Sequence, residues 1–179
     1  ISPGCGLPVK QSSRVPRAVN MPRHAEKRVL SQTPKQLFDL VSDIERYPDF
    51  LPWCIAARIT SKEGSVICAD LVVGFSAFRE KFSSRVTLDD GSNDTSPRID
   101  VDYLEGPMRH MQNHWVFQTH EQGTEIDFMV DFEFKSKIME TMMGKFFSEA
   151  AQRMVGAFET RANDLYGTSA PENDPDNNS

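Results

Sequence analysis

The chain has 179 residues, of which 39% are apolar and 26% charged, and its formal net charge is −6. That length can bury a core without disulfide or metal staples, and the acidic balance argues against broad electrostatic attraction to nucleic acid or anionic lipid. No apolar run approaches the roughly 20 residues that span a bilayer, so membrane contact is expected only at the surface.

Residues 1–20 hold no acid, carry Lys10, Arg14 and Arg17, and are broken by Pro3, Pro8 and Pro16. They lack the apolar stretch of a secretory signal. Two readings stay open: part of a mitochondrial presequence, or a non-native extension ahead of a natural start at Met21. The missing amphipathic pattern favours the second. Cys5, Cys54 and Cys68 are unevenly spaced and form no CxxC pair, so a reducing compartment is the simplest context.

From Met21 the elements follow in order. A strand is expected over His24–Ser31. Thr33-Pro34 supplies an N-cap and a proline at the first helical position. Leu37, Phe38, Val41 and Ile44 continue at helical spacing to about Ile44. Tyr47-Pro-Asp-Phe-Leu-Pro-Trp53 is too irregular for a strand and predicts a short helix or turn with inward apolar side chains.

The period then changes to two. Ile55–Ser61 and Ser65–Val73 flank Lys62-Glu63-Gly64 and predict a hairpin. Further strands are expected over Arg79–Leu88, around Ile99-Val101-Tyr103, around Trp115-Phe117, and over Ile126–Phe134. The last alternates Ile126, Phe128, Val130, Phe132 and Phe134 with polar neighbours, the pattern of an antiparallel sheet covered on one face.

From Ile138 to Tyr166 the period returns to that of a helix. Met139, Met143, Phe146, Phe147, Ala150, Met154, Ala157 and Phe158 fall on one stripe at about 100° per residue. Gly144 and Gly156 lie off it, each costing about 1 kcal/mol relative to Ala. Residues 167–179, rich in Pro, Asn and Asp, predict a disordered acidic tail, so the folded unit is 21–166. Strands and helices are segregated, which predicts an α+β fold in which a long helix covers a curved antiparallel sheet. Space between them, lined by Phe, Met and Trp, would be a hydrophobic pocket.

The sequence offers little catalytic chemistry. His110 and His114 are four apart, but the strand expected there removes the helical meaning of that spacing. No GxSxG, HExxH or phosphate loop occurs. Cys54 beside Trp53 reads as a buried structural thiol. Asp100 with Asp102, and Asp127 with Asp131, read as solvated charge on one strand face. No metal is expected and no motif demands catalysis.

Several separated segments carry a family resemblance. They are Tyr47-Pro-Asp-Phe-Leu-Pro-Trp-Cys54, Gly74-Phe75 leading into Arg79-Glu-Lys-Phe82, and Gly106-Pro107 with Trp115-Val-Phe117. Phe132-Glu-Phe-Lys-Ser136 and Met154-Val-Gly-Ala-Phe-Glu-Thr-Arg-Ala162 complete the set. Over Met21–Gly167 the chain resembles the coenzyme Q-binding branch of the START-like (helix-grip, SRPBCC, polyketide cyclase-like) superfamily. Met108 and Met111 depart from the Phe and Leu expected after Gly106-Pro107.

The resemblance implies a ligand carrier rather than a turnover enzyme, binding ubiquinone or a similar isoprenoid lipid and supporting respiration and quinone biosynthesis. It requires no cofactor, with ubiquinone as bound ligand. Candidate lining residues are Phe38, Val41, Leu51, Trp53, Trp115, Phe117, Met139, Met143, Phe147 and Met154, each equally compatible with plain core. The implied partners are the quinone and, transiently, a membrane surface, and no DNA. The implied location is the bacterial cytoplasm at the inner membrane, or alternatively the mitochondrial matrix side. Relatives within the family named as ribosome-association toxins imply a second reading, in which a ribosomal subunit is bound and subunit joining obstructed. A cyclase acting on a hydrophobic substrate is the third.

Overall fold

The computed structural model describes residues 23–75, 78–144 and 147–167. The expected leader and the tail beyond Gly167 lie outside them. The described residues form seven strands: β1 (Arg23–Leu30), β2 (Cys54–Glu63), β3 (Val66–Phe75), β4 (Phe78–Asp89), β5 (Arg98–Glu105), β6 (Met108–His120) and β7 (Gly123–Phe134). They form one antiparallel sheet in the order β1-β7-β6-β5-β4-β3-β2. Helix α1 (Pro34–Ser42) and a 3-10 helix (Ile44–Asp49) separate β1 from β2, and α2 (Lys137–Gly144) and α3 (Phe147–Tyr166) follow β7.

Helix α1 begins where the sequence predicts. Thr33 Oγ1 accepts from the Gln36 amide at 3.3 Å, and Gln36 Oε1 accepts from the Thr33 amide at 2.9 Å. This reciprocal capping box satisfies two otherwise orphaned donors. The helix stops at Ser42 rather than Ile44, because Asp43 leaves helical geometry at φ −83°, ψ 65°. Tyr47 lies in the following 3-10 turn, and its hydroxyl donates to the Val41 carbonyl at 2.5 Å, folding that turn back onto α1.

Period-two alternation gives the sheet an inner and an outer face. Ile67, Ala69, Val86, Ile99, Trp115, Phe117, Ile126 and Phe128 are buried on the inner face. The outer face carries paired charges: His110 Nε2 lies 2.7 Å from Asp131 Oδ1, and His114 Nδ1 lies 2.7 Å from Asp100 Oδ1. Both histidines are on β6, so their spacing places them on a strand, as the sequence predicts. Among the described residues, no group of three or more His, Cys, Asp or Glu is placed to hold a metal ion.

The single C-terminal helix of the sequence reading is described as α2 and α3, with Lys145 and Phe146 outside the described residues. Its buried seam also differs from the predicted stripe. Ala151, Val155, Phe158 and Ala162 are buried, whereas Ala150, Met154 and Ala157 are only half-buried. Small residues at 151 and 162 let the helix backbone approach the layer beneath, so the seam is centred on contact distance rather than on side-chain size.

The turn from β6 to β7 is pressed against the end of β1. Gly123 has φ +130°, and a Cβ there would sit 2.2 Å from the Leu30 carbonyl oxygen and 2.7 Å from Ser31 Cα. Backbone strain and overlap act together at this position. Gly123→Ala should lower unfolding free energy by about 2–3 kcal/mol in urea titrations, with Gly64→Ala less costly because a Cβ at Gly64 meets nothing within 4 Å.

Candidate functional site

Helix α3 is clamped near its C-terminal end. Phe158 inserts among Phe50, Trp115 and Tyr47, with ring centroids 5.1, 5.2 and 5.3 Å away and near-perpendicular or tilted rings. Such edge-to-face pairs add to the burial of each ring. One flank of the helix reaches β1: Arg28 Nη1 donates to Glu159 Oε2 at 2.7 Å. Just beyond β1, Gln32 Nε2 donates to Asn163 Oδ1 at 2.9 Å and to the Gly167 carbonyl at 2.7 Å. The opposite flank reaches the end of the 3-10 helix, where the Arg161 guanidinium lies 5.8 Å from the Phe50 ring centroid.

These contacts fix which way α3 faces. Glu159 and Asn163 turn to β1, so Met154 and Ala157, on the Arg161 side, turn toward the β2 half of the sheet. There the inner face is not fully covered. Ile59 on β2, Leu71 on β3, Phe82 on β4, and Val101 and Tyr103 on β5 are half-buried against the core, as are Met154 and Ala157 on the helix. Six inter-strand steps of about 4.8 Å carry the sheet about 29 Å across, while a helix with its side chains is about 10–12 Å wide. One helix cannot cover seven strands. The inner face on this side is therefore a partly covered apolar surface, which we call the groove.

The deep end of this layer holds a cavity of about 10 Å³, room for about one water. It is walled by Leu37, Leu40, Val41, Trp115, Val155 and Phe158 and edged by Arg28 and Glu159. The polar edge continues along the inner side of β1: Arg28 also donates to Glu26, and His24 Nε2 lies 3.0 Å from Glu26 Oε2. Burial pushes the Glu26 carboxyl up, but hydrogen bonds from His24 and Arg28, with the charge of Arg28, outweigh it and hold the group below its ordinary value.

The sequence-predicted lining residues divide into three groups. Val41 and Trp115 line the cavity. Phe38, Leu51 and Phe117 are buried, Phe117 completely, with Phe38 edge-on to Phe117 at 6.3 Å, so these three are enclosed core in this structure. Trp53 and Met154 are half-buried. The side chains of Met139, Met143 and Phe147 lie outside the described residues. Leu51 and Trp53 stand apart from the cavity in the segment before β2, where the Trp53 carbonyl accepts from the Gly74 amide at 2.9 Å.

Sequence reasoning missed Arg28, Glu159 and Asn113. The first two read as ordinary surface charge on an edge strand and a helix flank. Asn113 occupies an inward position of β6, between Val101 of β5 and Val130 of β7, and its place in the alternation between Met111 and Trp115 was the available signal. Cys54 is buried with its sulfur 3.7 Å from the Ala56 carbonyl oxygen, and burial pushes its thiol up, away from thiolate reactivity.

Comparison with known proteins agrees with this architecture. The family model described as polyketide cyclase/dehydrase and lipid transport matches residues 30–159. The chain is 38% identical over 138 residues to the ribosome association toxin RatA of Rickettsia prowazekii, covering 77% of this chain and 94% of that one. It is 38% identical to the 18 kDa protein CC1736 of Caulobacter crescentus, whose solution structure superposes with a TM-score of 0.67 over 82% of this chain and 99% of that one. It is 30% identical over 149 residues to the mitochondrial coenzyme Q-binding protein COQ10 homolog B of Xenopus laevis, covering 80% of this chain and 59% of that protein.

The stability contributed by Glu26 is complete above the ordinary value of 4.5 and is lost as pH falls through its lower folded-state value. Glu26→Gln should therefore flatten the fall of Tm with pH below about 4.5, as read by circular dichroism melts.

Proposed function

The chain belongs to the polyketide cyclase/dehydrase and lipid-transport family, and from that premise we propose that it carries ubiquinone or a similar isoprenoid lipid between α3 and the sheet. The observation that supports this most is the half-buried apolar surface formed by Leu71, Phe82 and Val101 on the sheet with Met154 and Ala157 on α3. Each CH₂ of an isoprenoid tail moved out of water contributes about 0.8 kcal/mol, so a groove of this character needs no charged contact for affinity. The Arg28–Glu159 edge supplies polarity at one end of the same layer. Binding and delivery, rather than turnover, is the activity, in support of respiration and quinone synthesis.

Ligand exchange would take place at a membrane surface. Among the described residues no helix is long and apolar enough to cross a membrane. Ile138, at the start of α2, is 72% exposed, and it offers an apolar side chain for such a contact.

A second reading, association with a ribosome, is favoured by the name of the Rickettsia relative. It asks for cations free to neutralise RNA phosphate. On the outer side of the sheet Lys27 pairs with Glu125 and Asp127, Arg98 with Asp100, and Arg109 with Glu133. That pairing ranks the ribosomal reading second.

Organic extraction and mass spectrometry of the protein purified from quinone-producing cells tests the carrier reading. Near-stoichiometric ubiquinone is expected, falling at least about tenfold in Leu71→Asp and Met154→Asp variants that retain their circular dichroism. Empty protein that also fails to take up added quinone overturns it, and co-sedimentation with ribosomes becomes the decisive assay.

A further inference from the structure

On the strands of the sheet, among the described residues, Asn113 is a polar side chain of the inner face whose hydrogen bonding is incomplete. Asn113 Oδ1 is buried and accepts no hydrogen bond. Its neighbours across the strands are Val101 and Val130, and along β6 the next inward residues are Met111 and Trp115. A Val or Leu here would continue the apolar alternation and avoid the desolvation of an unmatched acceptor.

Nearby polar groups on this face are used differently. The Thr124 hydroxyl donates to the Gln32 carbonyl at 2.7 Å, and the Tyr103 hydroxyl accepts from the Met108 amide at 3.2 Å. Gln32 Oε1 is also buried without a partner, but its Nε2 is held twice, by Asn163 and Gly167, which gives that side chain a structural role. Asn113 has no such tie among the hydrogen bonds of the described residues. It is half-buried rather than enclosed, next to the groove wall at Val101 and two residues from the cavity wall at Trp115.

We propose that the Asn113 carboxamide oxygen is the polar anchor for the head of the carried ligand and accepts a hydrogen bond from a ring hydroxyl. This rests on the carrier reading and adds a chemical preference to it. A carboxamide oxygen can only accept, and a quinone carbonyl can only accept, so the two offer each other nothing. A hydroquinone or phenol brings the missing donor. Contact through Oδ1, the atom left without a partner, selects the reduced, hydroxyl-bearing head, whereas contact through the carboxamide NH₂ would serve a quinone carbonyl; the apolar walls hold the tail of either.

The test is anaerobic titration of the full chain with a short-tailed ubiquinone and with the corresponding ubiquinol, followed by tryptophan fluorescence. The ubiquinol is expected to bind about tenfold more tightly, which raises the midpoint potential of the bound two-electron couple by about 30 mV. Asn113→Leu should bind both forms with equal affinity and melt no lower than the parent, since it removes an unmatched acceptor. A purely structural asparagine would instead lose stability on replacement and leave any redox preference intact.

Equal affinity of the parent protein for both forms overturns the anchor and leaves the carrier reading standing, whether or not the variant folds. A preference for ubiquinone that vanishes in Asn113→Leu assigns the amide nitrogen instead and overturns the hydroxyl assignment. Retention of a ubiquinol preference by the variant overturns the choice of residue. Failure of the parent to bind either form overturns the carrier reading and the anchor together.

Discussion

The structure depends on a mismatch of widths. Seven antiparallel strands make an inner face far broader than one helix can cover, and the sequence supplies that face with apolar side chains from β2 to β7. Curvature reduces the excess, and α1 with its 3-10 extension covers the end near Trp115 and Phe117. The rest stays half-covered between Met154 and the strands β3–β5. Apolar surface in that condition is poorly protected from water, which costs stability in the isolated protein and rewards a ligand that completes the burial.

The end that is closed is closed by complementary means. Phe158 sits in an aromatic cage drawn from two separate parts of the chain, Tyr47 with Phe50, and Trp115. Polar ties then fix the helix from both flanks, through Glu159 and Asn163 toward β1 and through Arg161 over Phe50. Aromatic packing sets depth, and the polar ties set rotation about the helix axis. That rotation decides that Met154 looks over the groove while Val155 is buried.

Much of the fold was legible in the sequence because its signals are local. Thr33-Pro34 announces α1, Gly64 and Gly123 mark turns, and the alternation of Ile126 to Phe134 declares a strand with one wet face. The helical stripe was legible only in outline. Periodicity put Ala150, Met154, Ala157 and Phe158 on one stripe, whereas the observed seam follows Ala151, Val155, Phe158 and Ala162. The site was less legible still. Arg28 and Glu159 are 131 residues apart, and only the packing of α3 on β1 makes them neighbours. Asn113 differs from its surroundings in a single residue, and nothing in a one-dimensional pattern says that its oxygen would be left without a donor.

The hydrogen bonds and ring contacts described for α3 gather toward its C-terminal end. Its ties at Phe158, Glu159, Arg161, Asn163 and Gly167 all lie in the final third of the chain segment from Phe147 to Gly167 or just before it. A movement that keeps those ties must turn about them, and the start of the helix is about 16 Å away at 1.5 Å per residue. A tilt of about 15° there displaces the far end by about 4 Å, roughly the thickness of a flat ring, and moves the buried Ala151 and Val155 with it. For the proposed carrier, such a movement would admit a ligand at the rate of a hinge rather than at the rate of unfolding.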